Sequence, residues 1–298
     1  MTRRATGIAI GFATACISGV SIWVNSHAVT RFHDATVYTT AKNAVAGIAL
    51  LALALPLVGQ VNAAPTVAPR RRWPALIVLA IVGGSVPFVL FFEGLARAEA
   101  TQASFIQKTL VIWVALLAVP LRRERIGLAH VAAIVFVIAG QAVLAGDAGT
   151  LVFGAGEAMI FAATLLWAAE VLLAKILLDA FAVRVLAVSR MVLGTLLLLG
   201  WLVISGRADD FVRLTASQWS WALLTGLLLS AYVATWYAAL ARAQCVDVTA
   251  VLVFGAVVTA VLAHATDGVA FDAFGVVLVC VGVALAATAG RRQRLRTA

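Results

Sequence analysis

Five charged residues lie inside long apolar stretches of the sequence, where a charge is costly. They are Lys42, Glu93, Lys108, Glu170 and Arg190. A charge at the centre of a bilayer costs about 2.5–3.5 kcal/mol on insertion scales unless it is paired or hydrated. Ammonium and guanidinium groups bind carboxylates with charge-assisted hydrogen bonds. We therefore expect these side chains either to pair with one another or to line a site that binds a charged solute.

Lys108 is the strongest candidate for contact with a solute. It follows Gln102, Ser104 and Gln107, so one side of the helix expected here is unusually polar. Such a face lines water or protein rather than lipid. Lys42 is a second candidate, although its long side chain could instead extend outward to the membrane surface.

The other three charged residues each have a structural alternative. Glu170 and Arg190 fall at similar depth on consecutive antiparallel segments, so they either form an ion pair that fixes two helices or line the site. Glu93 precedes Arg97 by four residues, which favours an ion pair within one helix over contact with a substrate.

Aromatic and small polar residues provide further candidates. Trp23, Trp167 and Trp236 lie within or near the inner ends of apolar stretches, where each either packs against neighbours or faces a ligand. Weaker candidates of the same kind are Asn25, Ser85, Ser230, Tyr232, Thr235 and Tyr237. Indole rings offer apolar faces and also attract cations.

The composition places all of these residues in a membrane protein. Of 298 residues, 63% are hydrophobic and only 12% are charged, and the mean hydropathy is +1.06. A water-soluble protein cannot cover so much apolar surface, whereas a bilayer solvates it. The net charge of +9 comes mostly from basic residues between apolar segments, as in membrane proteins. The sequence therefore predicts contact with a lipid bilayer and no nucleic-acid partner.

Ten segments are long enough to cross a hydrocarbon core of about 30 Å as helices. They lie near 5–24, 35–58, 74–96, 101–120, 127–145, 152–178, 183–204, 219–241, 246–264 and 269–289. Pro87 should bend the third segment and free backbone carbonyls there. The predicted fold is thus an all-α integral membrane protein with about ten transmembrane helices.

An internal repeat organises these segments. The tetrapeptide Leu-Ala-Arg-Ala occurs at 95–98 and again, 145 residues later, at 240–243. Further matches near this separation indicate a duplication, with one half at 1–147 and the other at 148–298. Each half has five segments, and because five is odd, the second half is inverted relative to the first. Inverted repeats are typical of transporters with a site between the halves near the membrane midplane.

The distribution of basic residues predicts the orientation. Of 22 lysines and arginines, three lie inside segments, fifteen on the side of the N terminus, and four on the other side. These four are Arg31, Arg97, Arg207 and Arg213. The excess of positive charge on the cytoplasmic side of membrane proteins therefore predicts that both termini are cytoplasmic.

The two halves resemble the drug/metabolite transporter superfamily and its EamA-type repeat. The shared pattern is an Ala-Leu helix end, a short turn of small residues, an apolar helix and an acidic residue. It runs from 95–98 to Glu124 in the first half and from 240–243 to Asp267 in the second. The resemblance covers nearly the whole chain. It implies a secondary transporter of the bacterial inner membrane, in which amino-acid export is one known activity.

The sequence contains none of the motifs that are typical of enzyme active sites. There is no glycine-rich phosphate loop, no Gly-x-Ser-x-Gly motif, and no metal-ligand spacing among the four histidines. We therefore expect neither an enzyme nor a protein that holds a metal or cofactor. An intramembrane enzyme and a purely structural scaffold remain as alternatives from other classes.

The candidate residues together suggest a substrate. The lysines suit a carboxylate, the tryptophans an apolar group, and Glu170 or Glu93 an ammonium. An amino acid with an aromatic or apolar side chain meets all three demands. The alternative is efflux of amphipathic organic cations or drugs, for which the aromatic and acidic residues would matter and the lysines would not. The sequence leaves proton coupling open.

Overall fold

The chain folds into a bundle of ten long helices. The computed structural model describes residues 2–55, 72–98, 100–124, 126–144, 153–268, 270 and 272–295. The helices are α1 (Arg3–Val29), α2 (Ala35–Ala54), α3 (Pro74–Leu95), α4 (Ala100–Lys108 and Leu110–Arg122), α5 (Leu128–Leu144), α6 (Ala155–Leu177), α7 (Val183–Ile204), α8 (Ala216–Leu240), α9 (Cys245–Leu252 and Phe254–Asp267) and α10 (Ala273–Leu295). The short helix Ala208–Val212 lies between α7 and α8.

The predicted all-α membrane fold is confirmed. Among the described residues, eight helices have at least 18 residues and are apolar enough to cross a membrane. The other two, α5 and the apolar part Ala273–Ala289 of α10, are shorter. These two helices pack closely on each other at Gly140 and Gly275. A side chain at Gly140 would not fit there, since its Cβ would lie only 2.7 Å from the Gly275 oxygen.

Local sequence determines where several helices begin. The Asp34 carboxylate accepts hydrogen bonds from the backbone N–H groups of Thr36 (2.8 Å) and Val37 (2.9 Å) at the start of α2. Thr215 and Gln218 form a reciprocal capping box at the start of α8. Such side chains satisfy N–H groups that have no partner within the helix.

Three helices are interrupted near the middle of the bundle. In α3 the regular α-helix is interrupted by a π-helical stretch at Ala80–Ser85, just before Pro87. Thr109 interrupts α4 and Val253 interrupts α9, at equivalent places in the two halves. Interruptions of this kind are typical of transporter helices that surround a central cavity.

The repeated tetrapeptide mediates contact between the halves. Ala98, which ends the first copy, packs on Gly156 of α6, where an added Cβ would lie 3.0 Å from the alanine Cβ. Ala243, which ends the second copy, packs on Gly7 of α1, where the same distance is 2.9 Å. Each motif thus contacts the first helix of the opposite half, as expected for inverted repeats. The boundary predicted at 147/148 lies outside the described residues and stays a prediction.

The helices of one half also pair with helices of the other half. Helix α1 packs on α8 and α9, and its counterpart α6 packs on α3 and α4. Helix α2 packs on α7, and α5 packs on α10. The start of α1 meets the last turns of α8 and α10, where Arg3 and Arg4 donate to backbone oxygens. We call this face the terminal side and the opposite face the distal side.

Candidate functional site

A cavity of about 260 Å³ lies between the two halves. Its polar lining residues are Ser18, Ser21, Asn25, Ser26, Lys42, Gln107, Lys108, Glu170, Arg190 and Thr249. Its aromatic lining residues are Phe88, Phe91, Phe92, Trp167, Tyr232 and Trp236. The cavity extends toward the distal side, since the lining residue Ser26, near the distal end of α1, is exposed.

Lys42 lies in an aromatic cage on α2 and α3. Its ammonium is 4.1 Å from the centre of the Phe92 ring, 5.0 Å from Tyr38 and 5.7 Å from Phe88. It also donates a hydrogen bond to Asn25 Oδ1 at 3.1 Å. Ring faces attract cations strongly when water is excluded. The side chain therefore points into the protein and does not extend to the membrane surface.

Lys108 ends the first part of α4, just before the interruption at Thr109. Its side chain is only 8% exposed and lines the cavity next to Gln107. Within the described part of the chain, no residue forms a hydrogen bond or ion pair with its ammonium. The side chains of Gln102 and Ser104 lie outside the described residues. A buried ammonium on a cavity wall, without a partner among the described residues, is the arrangement expected for a solute contact.

Glu170 and Arg190 meet at the inner part of the cavity wall. Arg190 Nε lies 3.9 Å from Glu170 Oε1, and Tyr237 donates its hydroxyl to the same carboxylate oxygen. Arg190 Nη2 donates to the Gly83 carbonyl at 3.0 Å, and Trp167 Nε1 donates to that carbonyl at 3.4 Å. The carbonyl belongs to the π-helical stretch of α3, so the predicted release of a backbone acceptor is observed.

The guanidinium of Arg190 is only partly satisfied. Its Nε and Nη1 have no hydrogen-bond partner among the described residues, and both Arg190 and Glu170 are less than 5% exposed. The pair therefore contributes a fixed positive and a fixed negative charge that nearly cancel. With Lys42 and Lys108 added, the cavity lining carries three cationic side chains and one carboxylate.

Trp23 lies elsewhere, in contrast to its mirror-related counterpart Trp167. Its indole N–H contacts Thr266 Oγ1 and Asp267 Oδ2, both at 3.1 Å, at the distal end of α9. It is not a lining residue of the cavity. Of the two alternatives that the sequence leaves open for Trp23, packing and ligand contact, the structure shows packing of this face of α1 on α9.

Glu93 also lies outside the cavity lining. Its carboxylate accepts hydrogen bonds from Thr36 (2.8 Å), Arg207 (2.8 Å) and Arg97 (2.9 Å) at the distal surface. The ion pair with Arg97 is the i,i+4 contact that the sequence favours. Arg207 in addition pairs with Asp34 at 3.1 Å, and the bond to Glu93 raises the pKa of Arg207. Glu93 therefore joins α2, α3 and the connection after α7.

Ser85 and Tyr237 act on the site only through other groups. Ser85 is buried, and its hydroxyl donates to the Ala80 carbonyl at 3.1 Å within the π-helical stretch. Tyr237 is fully buried and holds the Glu170 carboxylate. Neither belongs to the cavity lining, and both bond to other groups of the protein.

The phenylalanines of α3 line the cavity but were not among the candidates predicted from the sequence. Phe88, Phe91, Phe92 and Leu95 all line the cavity and follow the i, i+3, i+4, i+7 spacing of one helix face. That spacing was visible in the sequence. In a chain where nearly every helix is apolar all around, it does not distinguish a face toward a cavity from one toward lipid.

The terminal side is closed by hydrogen bonds between helices. Lys175 donates to the Leu240 and Ala243 carbonyls, both at 2.5 Å. Glu124 accepts hydrogen bonds from the backbone N–H groups of Cys245 (2.8 Å) and Val246 (3.2 Å). Helices α6, α8 and α9 and the end of α4 are thereby tied together on this side, so the structure represents a conformation closed toward the termini.

Comparisons with known proteins agree with this geometry. The model of the EamA-like transporter family matches residues 5–146 and, a second time, residues 154–288. A solved crystal structure matches 99% of this chain and 99% of its own chain, with a TM-score of 0.77 and 17% sequence identity, which shows the fold alone. No curated protein matches the sequence.

Proposed function

The chain belongs to the EamA-like transporter family, and on this premise we propose that it exports amino acids with apolar or aromatic side chains through the central cavity. The protein is a multi-pass membrane protein that transports small molecules. The substrate class is the proposal, and it rests on the charges and ring faces of the cavity.

The charge balance of the cavity favours a solute that carries a carboxylate. Three cationic side chains and one carboxylate line it, and Arg190 already lies beside that carboxylate. Two lysine charges therefore have no counter-charge among the described lining residues. A solute carboxylate stabilises such charges, whereas an organic cation is repelled by them.

The aromatic lining accommodates the rest of the solute. Trp167 packs edge-on against Phe88 and with tilted ring planes against Phe91, and Tyr232 stacks on Trp236 in the cavity wall. Such surfaces bind apolar side chains, and their ring faces also attract an ammonium group. An amino acid presents both groups together with its carboxylate. The cavity, at about 260 Å³, suits a solute of this size.

Lys108 carries the proposal. Lys42 is held by three rings and an amide, and Arg190 by Glu170 and a carbonyl, whereas Lys108 has no partner among the described residues. A charge-assisted hydrogen bond contributes about 1.5–3 kcal/mol, so loss of this ammonium should raise KM for amino acids by about 10- to 100-fold.

The test uses Lys108→Gln with Lys108→Arg as matched control, both reconstituted in liposomes with labelled solutes. We expect uptake of labelled phenylalanine and leucine to fall steeply in Lys108→Gln and to be largely retained in Lys108→Arg. If folded Lys108→Gln carries amino acids at the original rate, the proposal is refuted. Faster transport of an amphipathic cation than of any amino acid by the unmodified protein would favour the drug-efflux alternative.

The location and orientation are part of the proposal. We place the protein in the bacterial inner membrane with both termini in the cytoplasm. The excess of basic residues on the terminal side, fifteen against four, supports this orientation. The cavity then faces the periplasm in this conformation, as expected for an exporter that releases its substrate there.

A further inference from the structure

A buried histidine and aspartate lie on the terminal side, outside the cavity. His130 in α5 is 3% exposed, and Asp247 in the first turn of α9 is fully buried. His130 Nε2 lies 3.3 Å from Asp247 Oδ1, but neither atom completes a hydrogen bond with any described residue. Ionisable groups buried in a transporter at such a junction are functional candidates.

Arg4 connects this pair to two further helices. Its Nε donates to Asp247 Oδ2 at 2.9 Å, and its Nη atoms donate to the carbonyls of Ala286 and Ala287 in α10, both at 3.2 Å. The single carboxylate of Asp247 thus holds α1 and α10 to α9. Loss of this ion pair would release the contact that closes this part of the terminal side.

The protonation state of His130 follows from its neighbours. The backbone N–H of Gly127 donates to His130 Nδ1 at 3.2 Å, so Nδ1 is an acceptor without hydrogen. The ring is then neutral and carries its hydrogen on Nε2, facing Asp247. The next proton can only bind at Nδ1, where it meets the Gly127 N–H.

We propose that His130 and Asp247 form a proton-binding site that controls opening of the terminal side. Binding of one proton from water at Nδ1 removes the acceptor of the Gly127 N–H and makes the ring a cation. Imidazolium then shares the single negative charge of Asp247 with Arg4, from the other carboxylate oxygen, and the buried cluster acquires a net positive charge in which the two cations repel each other. Both changes weaken the Arg4 contact, so proton uptake favours opening and closure releases the proton.

Among the described residues, the other charged groups near this site on the terminal side have contacts of their own. They are Glu124 and Lys175, bonded to the backbone, Arg122, paired with Asp179, and Arg242, which donates to the Ala238 carbonyl. The Cys245 thiol lies two residues before Asp247. None of these groups hydrogen-bonds to His130 or Asp247 among the described residues. Their titration therefore does not substitute for that of the histidine.

Free histidine side chains change charge between pH 5 and 8, and this range sets the conditions of the test. The inference rests on the family assignment and not on the proposed substrate. A failure of the carboxylate-site test leaves it unaffected.

Cys245 provides a native reporter for the experiment. It is buried behind the terminal closure, whereas Cys16 is exposed and Cys280 partly exposed. In a Cys16→Ser, Cys280→Ser background, labelling of Cys245 by a neutral maleimide therefore measures opening. Thiols react more slowly as the pH falls because less thiolate is present. The Cys245 rate is therefore divided by the rate of a fully exposed cysteine at the same pH, so that only the change in opening remains.

We expect the labelling rate of Cys245, divided by that of a fully exposed cysteine at the same pH, to rise as the pH falls from 8 to 5.5, by up to about tenfold per pH unit, the limit for one proton. His130→Gln should abolish this rise, and Asp247→Asn should give fast labelling already at pH 8. The matched control is His27→Gln, since His27 and Asp267 form a similar pair (3.4 Å) on the distal side. This variant should keep the original profile.

The proposal is overturned if the labelling rate of Cys245 decreases on acidification by the same factor as the rate of a fully exposed cysteine. A rise that persists unchanged in His130→Gln also overturns it. If Asp247→Asn does not fold, the pH dependence of Cys245 labelling in His130→Gln, compared with that in His27→Gln, is sufficient to test the proposal.

Discussion

The buried pair Glu170–Arg190 allows a quantitative test of how charge is balanced beside the cavity. The two groups are 3.9 Å apart and less than 5% exposed. At this distance and an effective dielectric constant of about 20, Coulomb's law gives an attraction of about 4 kcal/mol. Glu170→Gln keeps the shape and an acceptor for the Tyr237 hydroxyl, but leaves Arg190 without its counter-charge.

Removing one partner of a buried ion pair costs about 3–5 kcal/mol, because the other charge stays uncompensated. We therefore expect Glu170→Gln and Arg190→Met each to lower the free energy of unfolding by that amount. The double variant leaves neither charge behind, so its loss should be smaller than that of either single variant. This outcome requires a coupling energy larger than the loss in one single variant, about 3–5 kcal/mol, which is of the same order as the attraction.

The assay is reversible unfolding of the purified protein by sodium dodecyl sulfate in mixed micelles, followed by circular dichroism. Asp179→Asn is the control, because its partner is the partly exposed Arg122 and its own side chain is 58% exposed. Exposed ion pairs contribute about 0–1 kcal/mol. A double variant no more stable than the single ones would refute the structural pairing. It would then favour direct contact of Glu170 with the solute.

Two further predictions concern orientation and the aromatic lining. Cysteines introduced at Arg97 and Arg242 should be labelled from opposite sides of the membrane despite their matching tetrapeptides, and labelling from the same side would refute the inversion. Trp167→Leu should raise KM by about two- to tenfold, since an aromatic pair contributes about 0.5–1.5 kcal/mol beyond its buried area. Trp23→Leu should change KM less than twofold, and the reverse order in a liposome uptake assay would contradict the assigned lining.

Helix-scale features were predictable because they depend on local composition and spacing. Apolar segments of about 20 residues span a bilayer, since no other backbone arrangement satisfies its hydrogen bonds there except a closed barrel. Pro87 lacks a backbone N–H, so the release of the Gly83 carbonyl nearby follows from proline chemistry. The pair Glu93–Arg97 follows from the four-residue spacing of a helix.

Contacts between residues that are far apart in the sequence could not be predicted, because they depend on which helix surfaces pack together. The tetrapeptide repeat was visible, but its contacts with Gly7 and Gly156 of the opposite half were not. His130 and Asp247 are 117 positions apart, and no spacing rule joins residues so distant in the chain. Their approach to 3.3 Å depends on the packing of α5 against α9.

The two tryptophans Trp23 and Trp167 illustrate the difference between what the sequence predicts and what the tertiary structure decides. Trp23 and Trp167 occupy mirror-related helices, and sequence alone assigned them the same role. In the folded protein Trp167 faces the cavity beside Phe88 and Phe91, whereas Trp23 faces the end of α9. Composition and periodicity thus determined that the chain crosses a membrane in two inverted halves. Only the tertiary structure decided which polar and aromatic residues face the cavity, because helix rotation is set by contacts with distant neighbours.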